Sequence, residues 1–131
     1  MGAAENETSI RRGYEAFNTG DVPALVELFA DDIVWHFPGN SKLSGAHIGR
    51  DATLGVLGAY GEASGGTLQA NVIDVMASND HVAGVGRDTA SIAGRTLDVR
   101  STVVFAMRDG QVSEAWHYFD DVAAVDAFLA G

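Results

Sequence analysis

Apolar positions in the first third of the chain recur at helical intervals. Ile10, Tyr14 and Phe17 fall on one face, and Gly20, following Asn18 and Thr19, predicts the stop. Asp21 reads as the N-cap of a second helix, with Pro23 tolerated in its first turn and Leu25, Leu28 and Phe29 as its apolar stripe. Two helices joined by so short a break form a helical hairpin. Ile33 to Phe37 is β-branched and aromatic, a short strand closed by Pro38 and Gly39. Residues 40–49 read as a Gly/Ser-rich loop. Asp51 then caps a third helix carrying Leu54, Leu57 and Tyr60, which the glycines between Gly61 and Gly66 end.

From Thr67 the period changes. Residues 68–76, 81–92, 96–107 and 111–119 read as strands, separated by Ser78-Asn79-Asp80, Ala93-Gly94-Arg95 and Arg108-Asp109-Gly110. These are hairpin-type turns, so the four strands form an antiparallel meander. Asp120 or Asp121 caps a terminal helix with Val122, Val125, Phe128 and Leu129. Helices first and a long-stranded meander afterwards predict one α+β domain over residues 1–131, a curved antiparallel sheet with helices on its concave face. Long strands twist and curl, and helices cover only part of a curled sheet, which leaves the mouth of a cavity.

Composition narrows what that cavity serves. Hydrophobic residues make up 47% of the 131, enough to build a core, and there is no cysteine to form a disulfide or a thiolate. That composition fits a reducing, cytoplasmic setting. The N-terminal Met-Gly-Ala-Ala-Glu-Asn-Glu is acidic and polar where a secretory leader is basic and then apolar, and no stretch has the length of a membrane span. A net charge of −10 repels polyanions, so nucleic acid and anionic membranes are poor partners.

Several segments, in order and spacing, resemble the nuclear transport factor 2-like superfamily, most of all its SnoaL-like branch. They are Phe17-Asn18-Thr19-Gly20-Asp21, Leu28-Phe29-Ala30-Asp31-Asp32, the strand ending at Pro38-Gly39, Gly49-Arg50-Asp51-Ala52, Asp109-Gly110-Gln111-Val112 and Trp116-His117-Tyr118-Phe119-Asp120. Polyketide cyclases belong to that branch; ketosteroid isomerases and limonene-epoxide hydrolases are its relatives. The resemblance implies a cone-shaped α+β barrel with a deep apolar pocket for a small apolar molecule such as a polyketide, no cofactor, and a homodimer formed through the sheet. It does not fix an activity, because the fold hosts many.

The family's known catalytic sets do not transfer whole. Gly13, with Tyr14 one place on, stands where the isomerases have a tyrosine; Phe37 stands at their base position and Val103 near their second acid. Against the epoxide hydrolases, Arg87 matches the arginine, His117 replaces one carboxylate, and Thr89 takes the place of the other, with Asp88 beside it on the opposite face. His117 therefore becomes the expected proton-transfer residue, on one strand face with Ala115 and Phe119, and Arg87 the expected electrostatic stabiliser. Tyr14, Trp35, Phe37, Thr89, Ser101, Val103 and Phe119 are expected to line the pocket. His36 joins them only if the strand bulges near Pro38. Neither His47 nor His81 has a partner at metal-ligand spacing, and no Gly-x-Ser-x-Gly elbow is present, so neither a metal site nor a serine hydrolase is expected. The competing reading is a non-catalytic binding or dimerisation module of the same fold.

Overall fold

In the computed structural model, which describes residues 2–131, helix α1 spans Ala3–Thr19 and α2 spans Val22–Leu28. Gly20 ends α1 in the left-handed region at φ 73°, where a side chain would be strained. The Asp21 carboxylate accepts a hydrogen bond from the Ala24 amide at 3.2 Å and starts α2, as expected of an N-cap. Strand β1, Phe29–Phe37, follows without a linker and begins four residues before the strand expected there.

The segment expected to be a loop contains a strand. β2, Gly45–Ile48, pairs antiparallel with β1 from Val34↔Ile48 to Phe37↔Gly45. It is a four-residue, mostly exposed edge strand, so it carries no apolar alternation to read. Helix α3, Arg50–Glu62, begins from Gly49 with no side-chain cap, and Asp51 lies inside its first turn rather than capping it. Strands β3 (Gln69–Ala77), β4 (His81–Ile92), β5 (Arg95–Arg108) and β6 (Gln111–Phe119) form the meander, and α4 covers Val122–Ala130. The Asp121 carboxylate caps α4 through the Ala124 amide at 3.0 Å.

The six strands run in the order β2-β1-β6-β5-β4-β3. The fold is the expected α+β one, with a curved, unclosed sheet. It departs from a wholly antiparallel sheet at one place, because β1 lies parallel to β6. Two tight turns shape the meander: Ala93-Gly94 at φ 50° and 80°, and Asp109-Gly110 at φ 53° and 79°. Positive φ at both central residues gives turns whose twist matches the flanking strands. The β5–β6 register shifts by one residue between Ala106 and Met107. The Ser113 hydroxyl pins that irregularity by donating to the Ala106 carbonyl at 3.2 Å. Above the bulge, Val103 faces His117 and Gly84 faces Val103.

Helices α1 and α3 pack on the concave face over a core in which Ile10, Ile33, Val82, Val112 and Val125 are almost completely buried. The end of α1 is tied to the edge of the sheet by one side chain. Asn18 Oδ1 accepts from the Ala70 amide at 2.9 Å, and its Nδ2 donates to the Ala70 carbonyl at 3.0 Å. An amide side chain thus satisfies a buried backbone pair as a neighbouring strand would. Replacing Asn18 by Ala should cost about 1–3 kcal/mol of stability in urea unfolding, the usual penalty for stranding such groups. A change under about 0.5 kcal/mol would mean that solvent reaches Ala70 freely.

Candidate active site

Alternation along β4 turns Val82, Gly84, Gly86, Asp88 and Ala90 toward the helices. Asp88 is therefore a carboxylate in an apolar interior, only 3% exposed. One of its oxygens, Oδ2, accepts a hydrogen bond from the Tyr60 hydroxyl on α3 at 2.7 Å. Burial pushes the Asp88 carboxyl up to about 6, while hydrogen bonds from Tyr60 and Ser101 pull it partly back. The same burial, with the Asp88 charge nearby, raises both Tyr60 and Tyr14 well above the usual phenol value, so both keep their protons.

Ser101 on β5 is the hydrogen-bond partner of His117 on β6. Its Oγ lies 2.8 Å from His117 Nε2, and which of the two donates depends on the imidazole tautomer. His117 is buried, and desolvation lowers its pKa to about 3, which leaves the imidazole neutral near pH 7. The His117 Nδ1 is buried and has no hydrogen-bond partner.

These groups lie along one apolar cavity with an empty volume of about 530 Å³, including its mouth. Tyr14, Trp35, Ser101, Val103 and His117, all expected as site residues, line it, joined by Asp88 and Tyr60. Among the described residues, five buried side-chain polar atoms lack a partner, and three of them belong to lining residues: Tyr14 Oη, Trp35 Nε1 and His117 Nδ1. An unpaired buried polar atom costs about 1–3 kcal/mol, so three around one hollow are an expense the fold itself does not explain. Gly84 belongs to the same arrangement. A Cβ there would fall on the Tyr14 hydroxyl, so its bare backbone makes room for that group.

Other expectations are corrected. Arg87 points away from the cavity and pairs with Asp98 on the exposed sheet face, Nε to Oδ1 at 2.6 Å, so it stabilises no charge inside. Burying the guanidinium would cost several kcal/mol, whereas this pair stays hydrated. Thr89 shares that outer face, where its hydroxyl oxygen accepts from Asn71, so the inward carboxylate position is filled by Asp88. His36 also faces outward, with Nε2 2.6 Å from Glu114 Oε2 and its ring stacked on Trp116. Phe37 and Phe119 are buried but outside the cavity lining. They pack on the His117 ring, with centroids 5.3 and 4.5 Å away, and hold it in place. Sequence reasoning missed Tyr60, read there as part of an apolar stripe, and the inward face of Asp88. Among the described residues no group of three His, Cys, Asp or Glu is arranged to hold a metal ion.

Comparison with known proteins agrees with the fold. The family described as SnoaL-like domain matches residues 10–115. The chain belongs to the SnoaL-like family. An uncharacterized protein of Mycobacterium tuberculosis is 33% identical over 122 residues, covering 92% of this chain and 93% of its own. Bal32a, from a soil-derived mobile gene cassette, is 41% identical with a TM-score of 0.93, covering 97% of this chain and 98% of its own. IdmH, a candidate polyketide cyclase from Streptomyces antibioticus, is 27% identical with a TM-score of 0.77, covering 96% and 99%. The SnoaL-like chain therefore has the nuclear transport factor 2-like architecture throughout its length, and among the described residues no helix is long and apolar enough to cross a membrane.

The two buried titrating groups act on stability in opposite directions. Asp88 binds its proton more tightly in the folded state, so its contribution is fully present below pH 3.8 and is lost as pH rises through about 6. His117 binds its proton less tightly when folded, so its contribution is present above pH 6.5 and is lost as pH falls toward about 3. Urea unfolding from pH 6.5 to 4 should show Asp88→Asn losing stability more steeply than the wild type. His117→Gln should gain stability over the same range, each difference being on the order of 2 kcal/mol. The exposed, ion-paired Asp32 and Asp98 titrate alike in all three proteins and cancel. Parallel curves would show that neither group is buried as described.

Proposed function

We propose that this SnoaL-like protein is a cofactor-independent enzyme performing general acid–base chemistry on a small apolar, oxygen-bearing molecule, of the cyclase, isomerase or epoxide-hydrolase type. One observation carries the reading: His117, with an unpartnered Nδ1 and its Nε2 2.8 Å from Ser101 Oγ, lines an otherwise apolar cavity that Asp88 also lines. In the tautomer with its proton on Nε2, His117 Nδ1 removes a proton from the bound molecule. The nearby Asp88 carboxylate stabilises the imidazolium that forms. The Tyr14 hydroxyl, kept protonated by burial, donates to the oxygen that gains charge. Arg87 has no part in this scheme. Positioned acid–base groups of this kind supply about 10²–10⁴-fold, which suits an activated carbonyl or an epoxide. IdmH, the candidate polyketide cyclase, supports a polyketide-like substrate.

The second reading is a binding module without turnover. The strong depression of His117 favours it, since a base with a pKa near 3 is weak until a ligand adds charge or hydrogen bonds around it. The readings separate on proton exchange. Cyclic enones and β-diketones incubated with the protein in D₂O should gain deuterium at the α-carbon, followed by NMR. His117→Ala should reduce that exchange by about 10²–10⁴-fold and Asp88→Asn by at least about tenfold, both with the fold retained. Saturable binding of these compounds without exchange by the wild type would decide for the module.

The sheet's outer face supports a homodimer. Met76, Ala83, Val104, Trp116 and His36 lie in register across β3, β4, β5, β6 and β1, with Tyr118 half exposed beside them. A two-fold dimer through this face would set the row against its own copy. Sedimentation at about 50 μM should give a dimer that Trp116→Glu converts to monomer, since burying a charge in that row is costly. A monomeric wild type would end the proposal. The absence of cysteine fits a cytoplasmic setting, and the acidic charge argues against nucleic acid as a partner.

A further inference from the structure

A second hollow adjoins the buried cavity. This one has an empty volume of about 1000 Å³, open solvent included, and lies between the end of α1, the start of α2 and the face of α3. Phe17, Leu25 and Leu57 line both hollows and stand as a collar of side chains where the two adjoin. Beyond the collar the walls are Val22, Leu54 and Leu68 with two bare stretches of helix, Gly58 and Gly61. A Cβ at either glycine would meet nothing within 4 Å, and neither has a positive φ. The fold therefore does not require them, although each lowers helix propensity relative to alanine. An independent observation gives the open face a purpose. The inner chamber behind the collar holds the unpartnered Nδ1 of His117, a residue only 6% exposed, together with the unpartnered Tyr14 hydroxyl.

We propose that the outer hollow is a second subsite, so that the ligand has two parts: a compact, uncharged ring bearing a hydroxyl or carbonyl, held in the inner chamber, and an apolar extension passing the Phe17–Leu25–Leu57 collar to lie along Gly58 and Gly61. This rests on the ligand pocket of the proposed function and adds the shape of what fills it. Charge excludes anionic extensions. Glu62 is the one ionised side chain lining the outer hollow, Asp88 is the carboxylate lining the inner one, and the chain as a whole carries −10.

Phenol, 4-propylphenol and 4-heptylphenol titrated calorimetrically into the purified protein test the subsite. The measured quantity is the ratio of each alkylphenol's affinity to that of phenol. In the wild type this ratio should rise with tail length, up to about fourfold per fully buried methylene. In Gly58→Leu and Gly61→Leu, whose added side chains fill the outer hollow, the 4-heptylphenol ratio should fall at least tenfold. Both substitutions improve helix propensity, so melting temperatures at or above wild type verify that the fold is intact. A ratio that ignores tail length in the wild type, or survives in both leucine variants, overturns the subsite, as does failure of every phenol to bind. Phenol binding that responds to Asp88→Asn alongside a flat tail series would sink the subsite alone. A steep tail series without proton exchange would instead sink the acid–base reading and leave the subsite standing.

Discussion

The hydrogen bond from Tyr60 to Asp88 joins the two layers of the protein at the point where the interior is least hospitable to charge. A carboxylate on the concave face of a sheet is unstable unless donors reach it, and here one donor comes from the helix layer and another from the neighbouring strand. The helix α3 is held over the sheet by the same contact that makes the carboxylate tolerable. Phe37 and Phe119 complete the support by closing on the His117 imidazole, so a ring with one free nitrogen is fixed without that nitrogen being satisfied. Packing sets the orientation, and hydrogen bonding on one side leaves the other side available.

This arrangement differs from a structural polar cluster, in which every buried group finds a partner. Here three of the five unpaired buried atoms belong to residues lining one apolar hollow, and Gly84 gives up a side chain to accommodate one of them. The electrostatics divide the labour. Asp88 is poised near neutrality, His117 is held neutral, and the two tyrosines are held protonated. Such a set can receive a proton and stabilise a developing oxyanion within the same dry space, which is what acid–base chemistry on an uncharged molecule needs. The outer face of the sheet carries the partly exposed pairs, Arg87 with Asp98 and His36 with Glu114, where they are tolerated at little cost.

Much of the scaffold was legible because its signals are local. The Asp21 and Asp121 caps, the Gly20 stop and the two tight turns each depend on a residue's own backbone preference and its immediate neighbours. The resemblance of the opening helices and the last strand carried the family correctly, and His117, Ser101, Val103, Trp35 and Tyr14 do line the cavity. The edge strand β2 was not legible, since four exposed residues have no pattern to show. The parallel pairing of β1 with β6 joins segments nearly eighty residues apart, and nothing local encodes it.

Which side of β4 faces the cavity was decided by a single inserted residue. Counting outward from the Asp109-Gly110 and Ala93-Gly94 turns, with no interruption, pairs His117 with Thr102 and Thr102 with Val85, which would turn Arg87 and Thr89 inward. The shift between Ala106 and Met107 moves His117 opposite Val103 instead, and Asp88 takes the inner face. Both faces of β4 carry small and apolar residues, so hydrophobic alternation alone could not choose between them. The sequence by itself determined most of the elements, the Asp21 and Asp121 caps and the family. Tertiary structure decided the chemistry of the cavity, because strand side chains alternate with a period of two and one extra residue reverses every face beyond it.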